Sequence, residues 1–299
     1  MSDRRKGQIG LLLVAIIWGS GFVMSSISLE YFSPIHVLGL RFTLAFLLMI
    51  LLFRNQLKHM QKGTVVKGVV LGVLLYLAFL FQTVGLVYTT PSKNAFLTAF
   101  NVVLVPLISA LFLRKKLAMP AIVGALLAIS GIAVISLNDF NNINLGDILT
   151  LICALFFALQ IIFTNLYVIG ENVYALNTIQ MGTAAVCALL VAVIEGKMPD
   201  FSHLDGNLAV LYLGAISTML AFLLQTASQQ FTKETETAII LSTESVFGML
   251  FSVLLLHEAV TVRMLIGAAL ILMGVVIVEL KPKVKKEVIE DYGRKECDH

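Results

Sequence analysis

Ten apolar stretches, each close to the length of a membrane crossing, follow one another along this chain with only short polar joints between them. A helix needs about 20 apolar residues to cross a hydrocarbon core of roughly 30 Å. Such stretches fall at Ile9 to Ser28, Ile35 to Phe53, Gly68 to Tyr88, Asn94 to Leu113, Met119 to Leu137, Ile148 to Val168, Tyr174 to Ile194, Leu208 to Gln229, Thr237 to Leu256 and Val262 to Leu280. Lipid offers no partner to backbone N–H and C=O groups, so segments of this kind satisfy themselves as helices. The joints carry breakers or polar residues, among them Ser33-Pro34, Thr90-Pro91-Ser92, Asp139 to Asn144, Gly170-Glu171-Asn172 and Pro199-Asp200, and none is long enough for a separate domain. With 59% hydrophobic and 13% charged residues, the chain lies far from the soluble average of roughly 45–50% and about 25%. The expected fold is an all-α membrane protein of ten transmembrane helices.

The chain is also built twice. Ala78-Phe79-Leu80-Phe81-Gln82-Thr83 returns as Ala221-Phe222-Leu223-Leu224-Gln225-Thr226, an offset of 143 that also pairs Ala95 with Ala238, Gly124 with Gly267 and Gly131 with Gly274. Upstream the offset is 139, pairing Gly7 with Gly146 and Ala15 with Ala154, so the second copy has gained four residues, most economically in the polar loop around Glu195 to Gly206. This divides the chain into residues 1–138, a first five-helix repeat, residues 139–281, a second, and residues 282–299, a polar tail. Five is odd, so the second repeat enters from the opposite side of the membrane. Two inverted five-helix repeats are typical of secondary transporters, which hold substrate between the halves and alternate access by rocking one against the other.

Basic residues set the orientation. With the amino terminus inside, Arg4, Arg5, Lys6, Arg54, Lys58, Lys62, Lys67, Arg114, Lys115, Lys116 and Lys233 lie inside, against Lys93, Lys197 and Arg263 outside. The positive-inside rule therefore predicts cytoplasmic termini in a multi-pass plasma-membrane protein. Arg4-Arg5-Lys6 before an apolar run looks like a signal peptide, but no small-residue cleavage site follows and the segment has a repeat partner at Gly146, so a retained span is expected.

Arg41 and Glu244 are the ionisable residues well inside spans, and each costs at least ~2.5 kcal/mol facing lipid. Repeat arithmetic gives both a polar counterpart: Arg41 pairs with Gln180, Asn101 with Glu244, Gln82 with Gln225, and Gly21 with Gln160. Trp18, Ser20, Arg41, Gln82, Asn101, Gln160, Gln180 and Gln225 are the candidate substrate-binding or gating residues. For the amides the plainer reading is an interhelical hydrogen bond. Glu244 is the candidate for proton coupling, because a lone membrane carboxylate is readily neutralised by a proton. Depth at 1.5 Å per residue puts Arg41, Gln82 and Asn101 in an outer layer and Gln180, Gln225 and Glu244 in an inner one, ~10 Å or more apart, which disfavours a clamp between Arg41 and Glu244. Both Gln82 and Gln225 are expected to line a central cavity. Gly124 with Gly131, and Gly267 with Gly274, read as close helix packing, and His257-Glu258 as a helix end.

Enzymatic readings fail on the residues. Gly19-Ser20-Gly21 has no histidine base within a span, and no H-E-x-x-H, Walker loop or Rossmann fingerprint occurs. Cys153, Cys187 and Cys297 form neither a disulfide framework nor a zinc pattern. No catalytic residue, cofactor or metal is expected; the partners expected are a small-molecule substrate and the lipid bilayer, not nucleic acid, with the chain a monomer or homodimer.

Ala15-Ile16-Ile17-Trp18-Gly19-Ser20, Arg41-Phe42, Gln82-Thr83, Phe96 to Ala99 leading to Val105-Pro106, Gln225-Thr226, and Leu241 to Phe247 around Glu244 resemble the EamA family of the drug/metabolite transporter superfamily. The resemblance covers nearly the whole chain. It implies ten helices in two inverted repeats and export or exchange of small metabolites such as amino acids. The family's second repeat often has proline after the glutamate, where this chain has Ser245, so no proline kink is available there. Small multidrug exporters of the superfamily carry an essential glutamate in their first span, and here that span has no acid. The function expected is a secondary transporter of small polar metabolites, exporting or exchanging by alternating access with proton coupling. The alternatives are a multidrug or lipophilic-cation exporter and a non-transporting membrane sensor.

Overall fold

The computed structural model describes residues 2–57, 61–112, 119–136, 144–196, 198–259 and 261–279, and among these every regular element is a helix. Lys58, Arg114, Lys115, Lys116, Lys197 and the 282–299 tail with Cys297, which entered the sequence reading, lie outside the described residues. The helices are α1 (Asp3–Leu29), α2 (Pro34–Phe53), α3 (Lys62–Leu86), α4 (Pro91–Thr98), α5 (Asn101–Phe112), α6 (Met119–Ser136), α7 (Leu145–Tyr167), α8 (Val173–Glu195), α9 (Leu204–Tyr212), a π segment (Leu213–Leu220), α10 (Ala221–Gln229), α11 (Glu234–Leu241), α12 (Glu244–Leu256) and α13 (Val262–Glu279). Counting α4–α5, α9 to α10 and α11–α12 as single crossings, eight helices are long and apolar enough to span a membrane. Shorter apolar helices occupy Ile122–Gly131 and Val262–Gly274.

Of the joints read as breakers, all but Pro199-Asp200 lead straight into helix starts. Ser33 accepts from the His36 N–H with Pro34 at the first helical position, and Thr90 accepts from Lys93 N–H with Pro91 likewise placed. Asn144 and Asp147 form a reciprocal capping box, and Asn172 accepts from two amides of α8. Each cap satisfies donors that a helix leaves open at its first turn, and proline loses nothing where the N–H is unpaired anyway.

Contacts between helix ends sort the crossings. The start of α1 meets the end of α10 (Gly7 on Ser228) and the start of α11 (Arg4 and Gln8 on Glu236). The end of α7 joins them through Asn165, which donates to the Gln229 and Thr232 carbonyls. These ends define the amino-terminal face. On the opposite face the end of α3 meets the start of α7 (Gly85 on Gly146), Lys93 at the start of α4 pairs with Asp147 at 2.9 Å, and Ser33 at the start of α2 donates to Glu195 at the end of α8. Thus α1 and α7, the first helices of the two sequence copies, run in opposite directions.

The glycine pairs act as expected. A Cβ on Gly131 would lie 2.6 Å from the Gly267 carbonyl oxygen, and one on Gly274 2.6 Å from that of Gly124, so α6 and α13 cross antiparallel with backbone against backbone. His257 ends α12 at φ 54° with its N–H on the Ser252 carbonyl, and Glu258 accepts from Ser92, which bears out the helix-end reading.

One expectation needs correction. Gly72 packs on Thr183, and the contact that matches it across the repeats is Gly214 on Leu44. The offset there is 142, yet it is 143 at Gln82 and Gln225. The π segment between takes up the extra residue, since i→i+5 pairing holds one more residue than the α-helix in the same rise. The second copy therefore gained one of its four residues inside a span rather than in the loop.

The close α6–α13 contact predicts that Gly274→Ala lowers the thermal midpoint in detergent, by an overpacking cost of about 1–3 kcal/mol. Gly63→Ala, where nothing lies within 4 Å of the new Cβ, is the matched control and is expected to be harmless. A second prediction concerns the joint between α7 and α8, where Glu171 accepts from Lys67 at 2.6 Å and from Thr64. The Lys67 ammonium, then the Thr64 hydroxyl, hold the Glu171 carboxyl below the usual carboxylate range. A lowered carboxyl stabilises the fold above its unfolded value of about 4.3 and loses that contribution as pH falls through the folded value. Glu171→Gln should cost roughly 0.2–1 kcal/mol near neutrality, and the difference from the parent should vanish in acid, as read from melting curves across the pH range.

Candidate functional site: a polar cavity at two matched helix breaks

The crossings made by α4–α5 and by α11–α12 are each broken near their middle, at equivalent positions. α4 stops at Thr98 and α5 restarts at Asn101; α11 stops at Leu241 and α12 restarts at Glu244, in both cases 143 residues on. The first break precedes Pro106, which has no N–H for the Val102 carbonyl. The second occurs without proline. There the hydroxyls of Ser242, Thr243 and Ser245 donate to the carbonyls of Ile239, Ile240 and Ser242, three residues back in each case, and the backbone tightens into i→i−3 turns. Serine and threonine that bond back to the helix in this way bend it, so the absent proline is replaced by three hydroxyls.

Asn101 and Glu244 are thereby the first residues of restarted helices, and both line one narrow cavity of about 30 Å³, room for a water or two and well under the ~300–1,000 Å³ of small-molecule sites, so a ligand would require it to widen. Its walls include Trp18, Gly21, Phe22 and Ser25 of α1, Arg41 of α2, Phe79 and Gln82 of α3, Phe157 and Ile161 of α7 and Ser217 of the π segment. On α1, α2 and α3 the lining residues fall in the half nearer the opposite face. Towards the amino-terminal face an apolar plug follows, in which Leu11, Val14, Val105, Ile162 and Ile240 pack together.

Arg41 is 1% exposed. Its Nε donates to Thr218 at 2.9 Å, and its guanidinium carbon sits 4.1 Å from the Phe79 ring centroid, the cation on the negative face of the ring. Phe79 is held edge-on by Phe42, Phe157 and Phe222. Trp18 stacks obliquely on Phe222 and donates its indole N–H to the Ser217 carbonyl at 3.0 Å. Gln82 donates to Thr98, at the last turn of α4. Among the described residues Arg41 and Glu244 are not ion-paired with one another or with any third group. Two buried charged residues therefore share a cavity with unspent hydrogen-bonding capacity. That arrangement suits a small ligand bearing an anionic group, with aromatic surface for its apolar part.

Trp18, Arg41, Gln82, Asn101 and Glu244 thus come together as lining residues. Gln225, expected in the cavity, is instead fully buried and donates to Gln160 at 3.2 Å, and Gln160 in turn donates to Thr164. Gln180 is fully buried between helices. Ser20 lies outside the lining, bonded to the Ile17 carbonyl and the Tyr212 hydroxyl. The two separate polar layers are also corrected. α4 begins at Pro91 and α11 at Glu234, each three residues before the expected start, which moves Asn101 and Glu244 ~4.5 Å deeper. Both shifts are toward mid-membrane, so Asn101 and Glu244 meet there, while Gln180 and Gln225 stay nearer the amino-terminal face. Phe79, Thr218 and Ser217 were missed as site residues. Phe79 could have been found from the repeated hexapeptide, since it lies one turn before Gln82 on the same face.

The description of the EamA-like transporter family matches residues 5–137 and, separately, residues 144–280. An uncharacterized transporter of Archaeoglobus fulgidus is 36% identical over 93% of this chain and 87% of its own length. The uncharacterized transporter YoaV of Bacillus subtilis is 22% identical over 90% and 95% respectively. A solved structure titled "Crystal structure of protein" superposes with a TM-score of 0.70 at 19% identity, covering 90% of this chain and 95% of that one, a likeness of fold.

The unpaired Glu244 carboxyl gives the site its prediction. If the residue served the fold through an ion pair, Glu244→Gln would destabilise it, as breaking a buried pair does by about 3–5 kcal/mol. With no such pair among the described residues, the thermal midpoint of Glu244→Gln in detergent at pH 8 is expected to equal or exceed the parent's.

Proposed function

Since the chain belongs to the EamA-like transporter family, we propose that it is an alternating-access carrier of small polar metabolites with an anionic group, amino acids foremost, exporting or exchanging them across the plasma membrane. In this reading α6 and α13 complete ten crossings, and residues 1–138 and 139–281 form two inverted five-helix repeats with both termini in the cytoplasm. The opposed directions of α1 and α7, the reciprocal α6–α13 contact and the two separate family matches support it.

One observation carries the proposal: helix breaks at equivalent places in both halves bring Asn101 and Glu244 to a single cavity that also holds Arg41. Broken helices at matching positions mark the substrate and coupling sites of many secondary transporters. Arg41 takes the anionic group, through the guanidinium edge that Thr218 and Phe79 leave open. Trp18, Phe22 and Phe157 cover the apolar part. Glu244 exchanges a proton between the two facing states, which links ligand movement to a proton gradient. The aromatic walls and a carboxylate would also suit a lipophilic cation, but Arg41 in the same cavity opposes it by like-charge repulsion.

Reconstituted protein should exchange labelled amino acids in counterflow and should fail with quaternary amines. Glu244→Gln should abolish pH-driven uphill transport and spare pH-independent exchange, because the amide keeps the shape and polarity of the neutral acid. Uphill transport with an unchanged pH profile in the Gln variant would exclude the proton role. Silence across amino acids, sugars and nucleobases, from folded protein, would favour a membrane sensor.

A further inference from the structure

Below the cavity, toward the amino-terminal face, lies a group of amides with more hydrogen-bonding capacity than the packing uses. Gln160, Gln180 and Gln225 are each fully buried. Gln225 donates to the Gln160 carbonyl oxygen at 3.2 Å, while its own Oε1 has no partner among the described residues. Both amide atoms of Gln180 are likewise unpartnered. A membrane protein has little reason to bury Gln180 and Gln225 in one half of its bundle and leave three of their polar atoms unused, because each unmet group carries its desolvation cost uncompensated.

The repeat arithmetic gives these residues a meaning. The counterparts of Gln160, Gln180 and Gln225 in the first copy are Gly21, Arg41 and Gln82, and all three line the cavity. Every member of the buried group is therefore the repeat partner of a residue that is open to the cavity. One half of the molecule holds these positions apart around a space, and the other holds them shut.

We propose that Gln160, Gln180 and Gln225 are the closed form of a second half-site, which opens to the amino-terminal face when the two halves exchange conformation. This rests on the alternating-access reading and adds to it a binding surface and its chemistry. Opening separates the Gln225 amide from Gln160 and exposes it with Gln180 to the ligand. The two half-sites differ in charge: Arg41 serves one, and its counterpart Gln180 is neutral. A ligand's anionic group passes from a guanidinium to amide N–H donors on its way to the amino-terminal face. The Gln160–Gln225 hydrogen bond is the contact that breaks.

Thiol labelling tests this. In protein with Cys153, Cys187 and Cys297 replaced by alanine, and shown to match the parent in folding and in the counterflow assay, single cysteines are placed by Gln82→Cys, Gln180→Cys and Gln225→Cys. Proteoliposomes are treated with a membrane-impermeant methanethiosulfonate at one face or the other, with and without a mixture of the standard amino acids on both sides. The expected result is that the cysteine at 82 reacts from the opposite face, and those at 180 and 225 react from the amino-terminal face alone, at least tenfold faster when the amino acids drive cycling. If 180 and 225 stay unreactive from both faces while 82 reacts and counterflow continues, the second half-site is wrong and the amides are core, with the transport reading intact. If 82 is also unreactive from both faces and counterflow is absent in the parent, the transport reading fails and this inference with it. Should either variant not fold, Gln160→Cys, next to the cavity-lining Ile161, carries the same expectation. Hydrogen exchange of the unmodified protein adds a further check: amides of residues 156–164 and 221–229 should exchange faster with the amino acids present, and no change there would count against opening.

Discussion

Everything in this fold follows from the lack of water in a bilayer. A polar atom that faces lipid has no partner to find, so each Arg, Glu, Asn and Gln within a crossing is driven to the interior of the bundle. There it has two outcomes. It is spent on a neighbouring helix, as Asn94 is on Thr150 and Thr226 is on Asn177, or it collects around a space that the packing leaves open. Arg41, Asn101 and Glu244 belong to the second group. Their convergence requires no specific pairing between them, because exclusion from lipid is enough to bring polar groups on different helices to one place, and the helix breaks set the height at which they meet.

The two faces are tied by related means. Lys93 and Asp147 bridge the starts of α4 and α7, and their repeat counterparts, Glu236 and Gln8, bridge the starts of α11 and α1, with Arg4 added. The bridge has kept its place while its charges have changed sides. Position is dictated by which helix ends must meet; the residue types are free to vary provided that one donates and one accepts. The same freedom explains how a break followed by Pro106 in one half matches a break made by serine and threonine in the other.

Much of this was legible in the residues. Spans, caps, the tight glycine contact and the pairing of polar positions all depend on local chemistry or on identity between the copies, and a single sequence carries both. What it did not carry was height. The sequence reading starts these spans at Asn94 and Thr237, but α4 and α11 begin three residues earlier, at Pro91 and Glu234, where a cap or a bridge between helix starts rewards a polar first turn. Three residues at each end moved Asn101 and Glu244 into one layer. Gln225 was misplaced for a different reason. Equivalence in sequence does not make equivalence in surroundings: the two copies are packed in unlike shapes, so Gln82 borders the cavity while Gln225 is packed away. Arg41 was legible as a buried charge; its partner Thr218 was not, because a lone threonine in an apolar run usually back-bonds within its own helix.

The π segment has a consequence for how such a gene diverges after duplication. Membrane thickness holds paired crossings to a common length, so additions to a coding sequence are expected to survive in loops and to be purged from spans. A widened helical ring relaxes that rule by one codon: the insertion is absorbed on the spot, and Gly214, in the first turn of the π segment, keeps on Leu44 the contact that Gly72 makes on Thr183. The stretch that absorbs the insertion can then be recruited. In this protein the recruited stretch supplies the Ser217 carbonyl under Trp18 and the Thr218 hydroxyl on Arg41, so an accident of length in one copy became an anchor for the charge contributed by the other.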